Sequence, residues 1–301
     1  MELTILTPTY NRETQLKALF QSLQGQTVKD FEWLIVDDGS TDTTHSTVEQ
    51  FKDMSAFPIK YIYKNNGGKH TALNVGIKEI CSKLTFIFDS DDRLTPDAVQ
   101  TVLAYHQNYK NSKGLCGYSF LRLFPDGEIN GKPFARNEWI ASLIESRINS
   151  DDAAADKAEI YYTDILKKYP FPEYPGEKFL GEDIVWIRIA KQYKMVHINK
   201  GIYIGSYLDD GLTSNRRDHN IKSPIGCMNR AKEFICPEIK LKYRCKGALQ
   251  YIIYGKFANQ RLSSLVKDAP SKALVLATYI PGMLLYYFWS RTFNARSVKN
   301  R

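Results

Sequence analysis

Two patterns of apolar residues alternate along the first hundred positions. Short unbroken runs at Leu3 to Thr7, Phe31 to Val36, Ile59 to Tyr63 and Leu84 to Phe88 each read as a strand. Between them apolar residues recur at helical spacing: Leu16, Leu19, Phe20 and Leu23, stopped by Gly25, then Val48 and Phe51, then Leu73, Ile77 and Ile80. Thr95-Pro96-Asp97 opens a further helix with an N-cap, a proline at the first helical position and an early acidic group. Four strand–helix units within about 105 residues predict a parallel sheet.

The rhythm changes after Lys113. Gly114 to Phe124 predicts a long strand, and Pro125-Asp126-Gly127 is a turn that would reverse it into an antiparallel partner, giving a mixed sheet. A stiff loop follows at Pro170, Pro172, Pro175 and Gly176. Gly181-Glu182-Asp183 then precedes a helix over 184–193, and short strands around Val196 and Tyr203 complete the core. From Asn215 onward the chain is basic and aromatic. Ala273 to Trp289 is a mostly apolar run between Lys272 and Arg291, shorter than the roughly 20 residues a spanning helix needs. Pro281-Gly282 near its middle predicts a break, so the run is expected to lie in a membrane interface, with a buried helical hairpin as the alternative.

With 301 residues, 43% of them hydrophobic and 25% charged, the chain has the length and composition of one large or two small globular domains, which excludes disorder. Forty-one Lys and Arg against 33 Asp and Glu leave +8, so an anionic partner is expected: nucleotide phosphate, nucleic acid or an acidic membrane face. Five cysteines without a C-x-x-C pattern read as reduced thiols. Met1 to Pro8 enters a strand pattern at once, without a signal-like segment, which predicts a cytosolic protein.

Ligands of an open parallel sheet bind beyond the carboxyl ends of its strands. Acidic residues gather at two such ends, Asp37-Asp38 after the second strand and Asp89-Ser90-Asp91-Asp92 after the fourth. In strand geometry Asp89 and Asp91 point to one side and can share a divalent cation, and hard carboxylate oxygens suit magnesium or manganese. Pro8 and Tyr10 follow strand one, and Asn65-Asn66-Gly67-Gly68-Lys69-His70 follows strand three. Together these residues supply a ring for stacking, a carboxylate for a base N–H, glycines for close approach and a cation for phosphate. Those are the parts of a nucleotide-diphosphate site.

In these residues the sequence resembles the family 2 glycosyltransferases, inverting enzymes of the GT-A fold. The motifs are Thr7-Pro8-Thr9-Tyr10-Asn11-Arg12, Val36-Asp37-Asp38-Gly39-Ser40-Thr41-Asp42, Gly67-Gly68-Lys69 through Asn74 and Gly76, Asp89-Ser90-Asp91-Asp92, and Gly181-Glu182-Asp183. The resemblance covers residues 1–215 and implies there a mixed, mostly parallel sheet flanked by helices, with 1–110 binding a nucleotide sugar and 111–215 the acceptor; the basic, aromatic composition of 216–301 predicts a helical, membrane-associated C-terminal region. It implies that Pro8, Tyr10 and Asp38 contact base and ribose, that Lys69 faces the donor, and that Arg12, Asn66, Gly68 and Glu182 belong to the substrate-binding set. It implies Asp91 as the principal ligand of Mn2+ or Mg2+, with Asp89 beside it, and Asp183 as the general base. The Q-x-x-R-W motif of processive synthases is absent, which favours transfer of a single sugar.

The expected function is therefore transfer of one sugar, from a UDP-sugar, to a glycan acceptor, lipid-linked and used in surface polysaccharide synthesis, at the inner face of the cell membrane. A sugar nucleotidyltransferase is the rival enzyme, but no Gly-rich loop follows strand one. A catalytically silent nucleotide-sugar or glycan-binding module is the rival from another class. Nucleic acid ranks last, because the positive charge reads as spread out and the acidic pocket would repel a phosphate chain. Tyr207 to Ser214 is expected to close over the diphosphate, with Arg216, Arg217 or His219 neutralising charge.

Overall fold

The structure is a computed structural model that describes residues 1–150, 155–205 and 216–299. Nine described strands form one sheet: β1 (Leu3–Thr9), β2 (Phe31–Asp37), β3 (Ile59–Tyr63), β4 (Leu84–Ile87), β5 (Arg93–Leu94), β6 (Leu115–Leu123), β7 (Trp139–Ala141), β8 (Lys157–Tyr162) and β9 (Lys194–Ile204). Their order is β3-β2-β1-β4-β8-β6-β9-β5, with β7 also on β9. The first four are parallel, as the alternating pattern predicts. β8 runs antiparallel between β4 and β6, and β9 runs parallel to β6. Most paired residues are therefore in parallel register, and the sheet is mixed.

Helices α1 (Glu13–Gln24), α2 (Thr44–Met54), α3 (Lys69–Glu79) and α4 (Ala98–Tyr109) cover the sheet. Alternate strand residues Ile5, Trp33 and Phe86 share one cluster with Leu19 and Phe20 of α1, Phe51 of α2 and Val102 of α4. Phe20 stacks on Phe51 with ring centroids 4.3 Å apart, and the Trp33 indole N–H donates to Thr7 Oγ1 at 3.0 Å, so the buried ring leaves no orphan donor. On the opposite face α3 lies close to Leu6 and Val36, because Gly76 carries no side chain to hold it off.

By internal packing the chain divides into two compact units, Met1–Phe171 with Ile189–Tyr207, and Pro172–Arg188 with Leu208–Arg301. The first contains every described strand and the short helix α5 (Thr163–Leu166). The second begins the helix α6 (Asp183–Ala190) and holds α7 (Arg216–Lys222), α8 (Pro224–Glu233), α9 (Leu241–Phe257), α10 (Leu262–Asp268), α11 (Lys272–Ala277) and α12 (Tyr279–Lys299). Its core joins Ala231, Ile235, Tyr251, Ile252, Leu265 and Val275. The Glu177 carboxylate accepts from the backbone N–H groups of Ile225 at 2.6 Å and Gly226 at 2.7 Å, which satisfies orphan donors at the start of α8.

Several sequence expectations change. Pro96 lies outside α4, whose N-cap is Asp97. The turn at 125–127 gives a single bridge, Leu123 to Ile129, rather than a full strand partner. The strands expected near Val196 and Tyr203 are one strand, β9, whose register against β6 shifts after Ile198. The apolar run is interrupted at Thr278 rather than at Pro281-Gly282. Pro281 sits in the first turn of α12, where a helix has no use for its missing N–H. Helical bonding passes through the interruption, from Thr278 N to Leu274 O and from Gly282 N to Thr278 O. The run is thus a rod with one irregularity, half buried on the core, and not a hairpin. No described helix is long and apolar enough to cross a membrane.

Candidate active site

The chain leaves β1 towards β2 on one side, while β4 lies on the other. Loops after β1 and β4 therefore diverge and open a crevice at the carboxyl ends, the position where such sheets take ligands. Thr9 to Arg12 and Asp89 to Asp92 flank it.

Asp89 and Asp91 do not sit in extended strand. β4 ends at Ile87, and a turn follows in which Asp92 N donates to Asp89 O at 3.3 Å. The turn draws in a third carboxylate: one oxygen each of Asp89, Asp91 and Asp92 lies within 4.8 Å of the others. Cations answer this charge from three sides. Lys69 Nζ is 2.5 Å from Asp89, Arg12 Nη1 is 4.0 Å from Asp91, and Arg122 Nη2 is 3.4 Å from Asp92. The Tyr203 hydroxyl donates to Asp92, and Arg122 also pairs with Asp156 at 2.5 Å. Burial and then the neighbouring Asp89 raise the Asp91 carboxyl above the usual range. Burial and then Asp89 push Asp92 up to about 7, against the opposing pull of Tyr203 and Arg122.

The residues fit a hard divalent cation beside a phosphate. Three carboxylate oxygens form the donor set, and Arg12 Nη1 is buried without a hydrogen-bond partner among the described residues. A proton and a cation compete for these oxygens. Because the folded-state pKa of Asp92 is raised, its protonation favours the fold. That contribution is complete below about 4 and is lost as pH rises through 7. Saturating Mn2+ should raise the melting temperature by about 5 °C at pH 8 and by clearly less at pH 5.5. Equal shifts at both pH values in a thermal melt would contradict the assignment.

Asp38 fastens the neighbouring loop. Its Oδ1 accepts from Lys64 Nζ at 2.6 Å and Gly67 N at 2.9 Å, and its Oδ2 from Gly68 N at 2.7 Å and Asn66 Nδ2 at 3.2 Å. A base N–H reaching Asp38 would replace one of these donors. Gly39 has φ +86°, and a Cβ there would stand 2.7 Å from Asn66 N, so only glycine lets the two loops meet. Gly39→Ala should cost about 2 kcal/mol or more, read as a lower midpoint in urea unfolding. Asn11 ties the β1 loop to the same assembly, accepting from Thr41 N at 2.8 Å through Oδ1. Tyr10 presents its ring 48% exposed, whereas Pro8 is buried in β1 opposite Val36. Asn74 acts structurally, exchanging two 2.8 Å hydrogen bonds with the Phe171 backbone.

Asp183 stands in the second unit as the first residue of α6, directly after Glu182. The buried Arg230 of α8 places Nε and Nη2 on its two carboxylate oxygens. A Cβ at Gly181 would come within 2.7 Å of Arg230 Nε, so this glycine makes room for the fork. Burial alone would lower the Arg230 guanidinium pKa, but the Asp183 charge more than offsets it and the net shift is upward. Sequence reasoning missed Arg230, Arg122 and Tyr203. Arg217 lies over the Trp289 ring at 4.8 Å and His219 stacks on Phe179 at 5.8 Å. The expected closing loop, Tyr207 to Ser214, and the Arg216 side chain fall outside the described residues.

Residues 4–127 match the model of glycosyl transferase family 2. That stretch, from β1 to the turn after β6, is similar to a family 2 glycosyltransferase domain. The Campylobacter jejuni GalNAc(5)-diNAcBac-PP-undecaprenol beta-1,3-glucosyltransferase is 25% identical over 247 residues, covering 77% of this chain and 73% of that protein. The poly(ribitol-phosphate) beta-N-acetylglucosaminyltransferase TarS of Staphylococcus aureus is 30% identical over 182 residues, 58% of this chain and 30% of TarS. The crystal structure of TarS 1-349 with UDP-GlcNAc superposes with a TM-score of 0.60 at 20% identity, covering 94% of this chain and 79% of that one. The mannosyltransferase PcManGT of Pyrobaculum calidifontis, in complex with GDP-Man and Mn2+, gives 0.59 at 16% identity, covering 98% and 84%. Across the curated relatives the matched stretch spans as little as 14% of the other protein's length. The likeness to these solved structures is one of fold, a GT-A-like mixed sheet flanked by helices, with a helical C-terminal segment.

Proposed function

We propose that this protein is a metal-dependent, inverting glycosyltransferase that moves one sugar from a UDP-sugar to a hydroxyl of a lipid-linked glycan, in surface polysaccharide synthesis at the inner face of the cell membrane. The observation that carries the reading is the turn of three carboxylates at the end of β4, set at the crevice of a domain similar to family 2 glycosyltransferases and flanked by Arg12 and Lys69. Asp91 and Asp89 would hold Mn2+ or Mg2+, which when bound stabilises the negative charge on the departing diphosphate. UDP-GlcNAc in TarS supports the uridine donor, and the undecaprenol-linked substrate in the name of the C. jejuni relative supports the lipid-linked acceptor.

The chain's own groups divide the remaining work. Residues 1–110 bind the donor and 111–215 the acceptor. Tyr10 stacks on the base above Pro8, and Asp38 holds Asn66 and Gly68 in the shape that receives the ribose and diphosphate. Lys69 and Arg12 pair with phosphate oxygens. Inversion requires attack on the face opposite the leaving group, and Asp183, beside Glu182, takes the proton from the attacking hydroxyl. The test is a panel of UDP-, GDP- and dTDP-sugars with Mn2+, following nucleotide release with and without membrane extract. Release of UDP that depends on the extract is expected. Exclusive use of a GDP-sugar would overturn the base assignment, release of pyrophosphate would favour a nucleotidyltransferase, and donor binding without turnover on any acceptor would favour a binding module.

A further inference from the structure

Positive charge is not spread evenly along the chain. Residues 216–301 hold 17 Lys and Arg against 4 Asp and Glu, whereas residues 1–215 hold 24 against 29, and none of residues 269–301 is acidic. The basic region is also where the structure leaves a long apolar face bare. One side of the α11 and α12 rod is packed: Val275 is buried, Tyr279 and Met283 lie on the second core, and Tyr286 meets the Phe257 ring at 4.9 Å. The other side carries Leu276, Ile280, Leu284, Tyr287 and Phe288, exposed by 54%, 73%, 66%, 57% and 64%. These positions recur every three or four residues and form one stripe. Exposed Lys272 and Arg291 continue it by one turn at either end.

We propose that this stripe rests on an anionic phospholipid surface. Apolar and aromatic side chains between cationic ends match the boundary between acyl chains and anionic headgroups. A second copy fits poorly, because pairing the stripes would bring two strongly basic segments together. The inference goes beyond the membrane-face location proposed above by naming the surface that makes contact, and it is independent of turnover.

The experiment is co-sedimentation of the full chain with phosphatidylcholine vesicles containing phosphatidylglycerol, and with phosphatidylcholine alone. Wild type should sediment with the anionic vesicles and far less with the neutral ones. Ile280→Glu with Leu284→Glu and Phe288→Glu should lower the partition coefficient about tenfold or more. Lys272→Gln with Arg291→Gln, which leaves the apolar stripe intact, should lower it several-fold and flatten its dependence on NaCl. A melting curve and UDP-sugar titration on each variant keep membrane loss separate from unfolding and from failure of the donor site. Binding unchanged in both variants, no preference for anionic vesicles, or a dimer in sedimentation equilibrium that the triple variant dissociates would overturn the proposal.

Discussion

Asp183→Asn is expected to lower kcat by about a thousandfold while leaving the donor dissociation constant within about twofold. Asparagine keeps the shape and one hydrogen-bond acceptor for Arg230 but cannot take a proton from an acceptor hydroxyl. The same change removes the charge facing a buried guanidinium, so a stability loss of about 3 kcal/mol should accompany it. The two effects separate in measurement, because unfolding lowers the active fraction and donor binding capacity together, whereas loss of the base spares binding. Arg230→Lys keeps the charge and loses the fork, and should disturb rate and stability less than Asp183→Asn does. A rate loss below tenfold in Asp183→Asn, measured on protein shown to be folded, would remove the base role from this residue.

The second large effect is expected at Arg122, far from Asp92 in sequence yet beneath it in the fold. Its guanidinium meets Asp92 and Asp156 and lies over the Tyr203 ring at 5.0 Å. Arg122→Met should cost about 1 kcal/mol more at pH 8 than at pH 6, since above pH 7 Asp92 loses the cation facing its buried charge and must take up a proton instead. Asp92 already titrates near 7, so below that pH it takes a proton and the deficit should shrink. Urea unfolding of wild type and variant at pH 8 and pH 6 measures this difference. A deficit that is equal at both values, or larger at pH 6, would show that Arg122 does not act through the Asp92 charge.

What the sequence disclosed followed from how local each signal is. The first four strands and their helices repeat within short stretches, and the acidic and glycine motifs fall in the loops directly after them, so periodicity and turn chemistry sufficed. β8 was hidden because Lys157 and Glu159 interrupt its apolar pattern. Both are satisfied inside the fold, Glu159 by Arg147 and Lys157 by the backbone carbonyls of Asn130 and Lys132. β9 looked like two strands because Asn199-Lys200-Gly201 reads as a turn. In the structure Asn199 is held by Phe134 and Asn137 while the register slips. The turn at Asp89 to Asp92 brings together carboxylates that strand geometry would have left as a pair. Its supports come from three distant elements, and an arginine within the apolar strand Leu115–Leu123 was the one signal of a buried partner. Arg230 had no such mark, because it lies 47 residues from Asp183 in a helix, α8, whose pattern gives no sign of a buried ion pair.

The most direct test of the account is a crystal structure with a UDP-sugar and Mn2+, recorded with anomalous scattering from manganese. The prediction is a manganese peak in direct coordination with Asp91, the diphosphate against Lys69 and Arg12, and the Asp183 carboxylate facing the anomeric carbon from the side opposite the diphosphate. A peak away from the Asp89 to Asp92 turn, or Asp183 remote from the bound sugar, would contradict it.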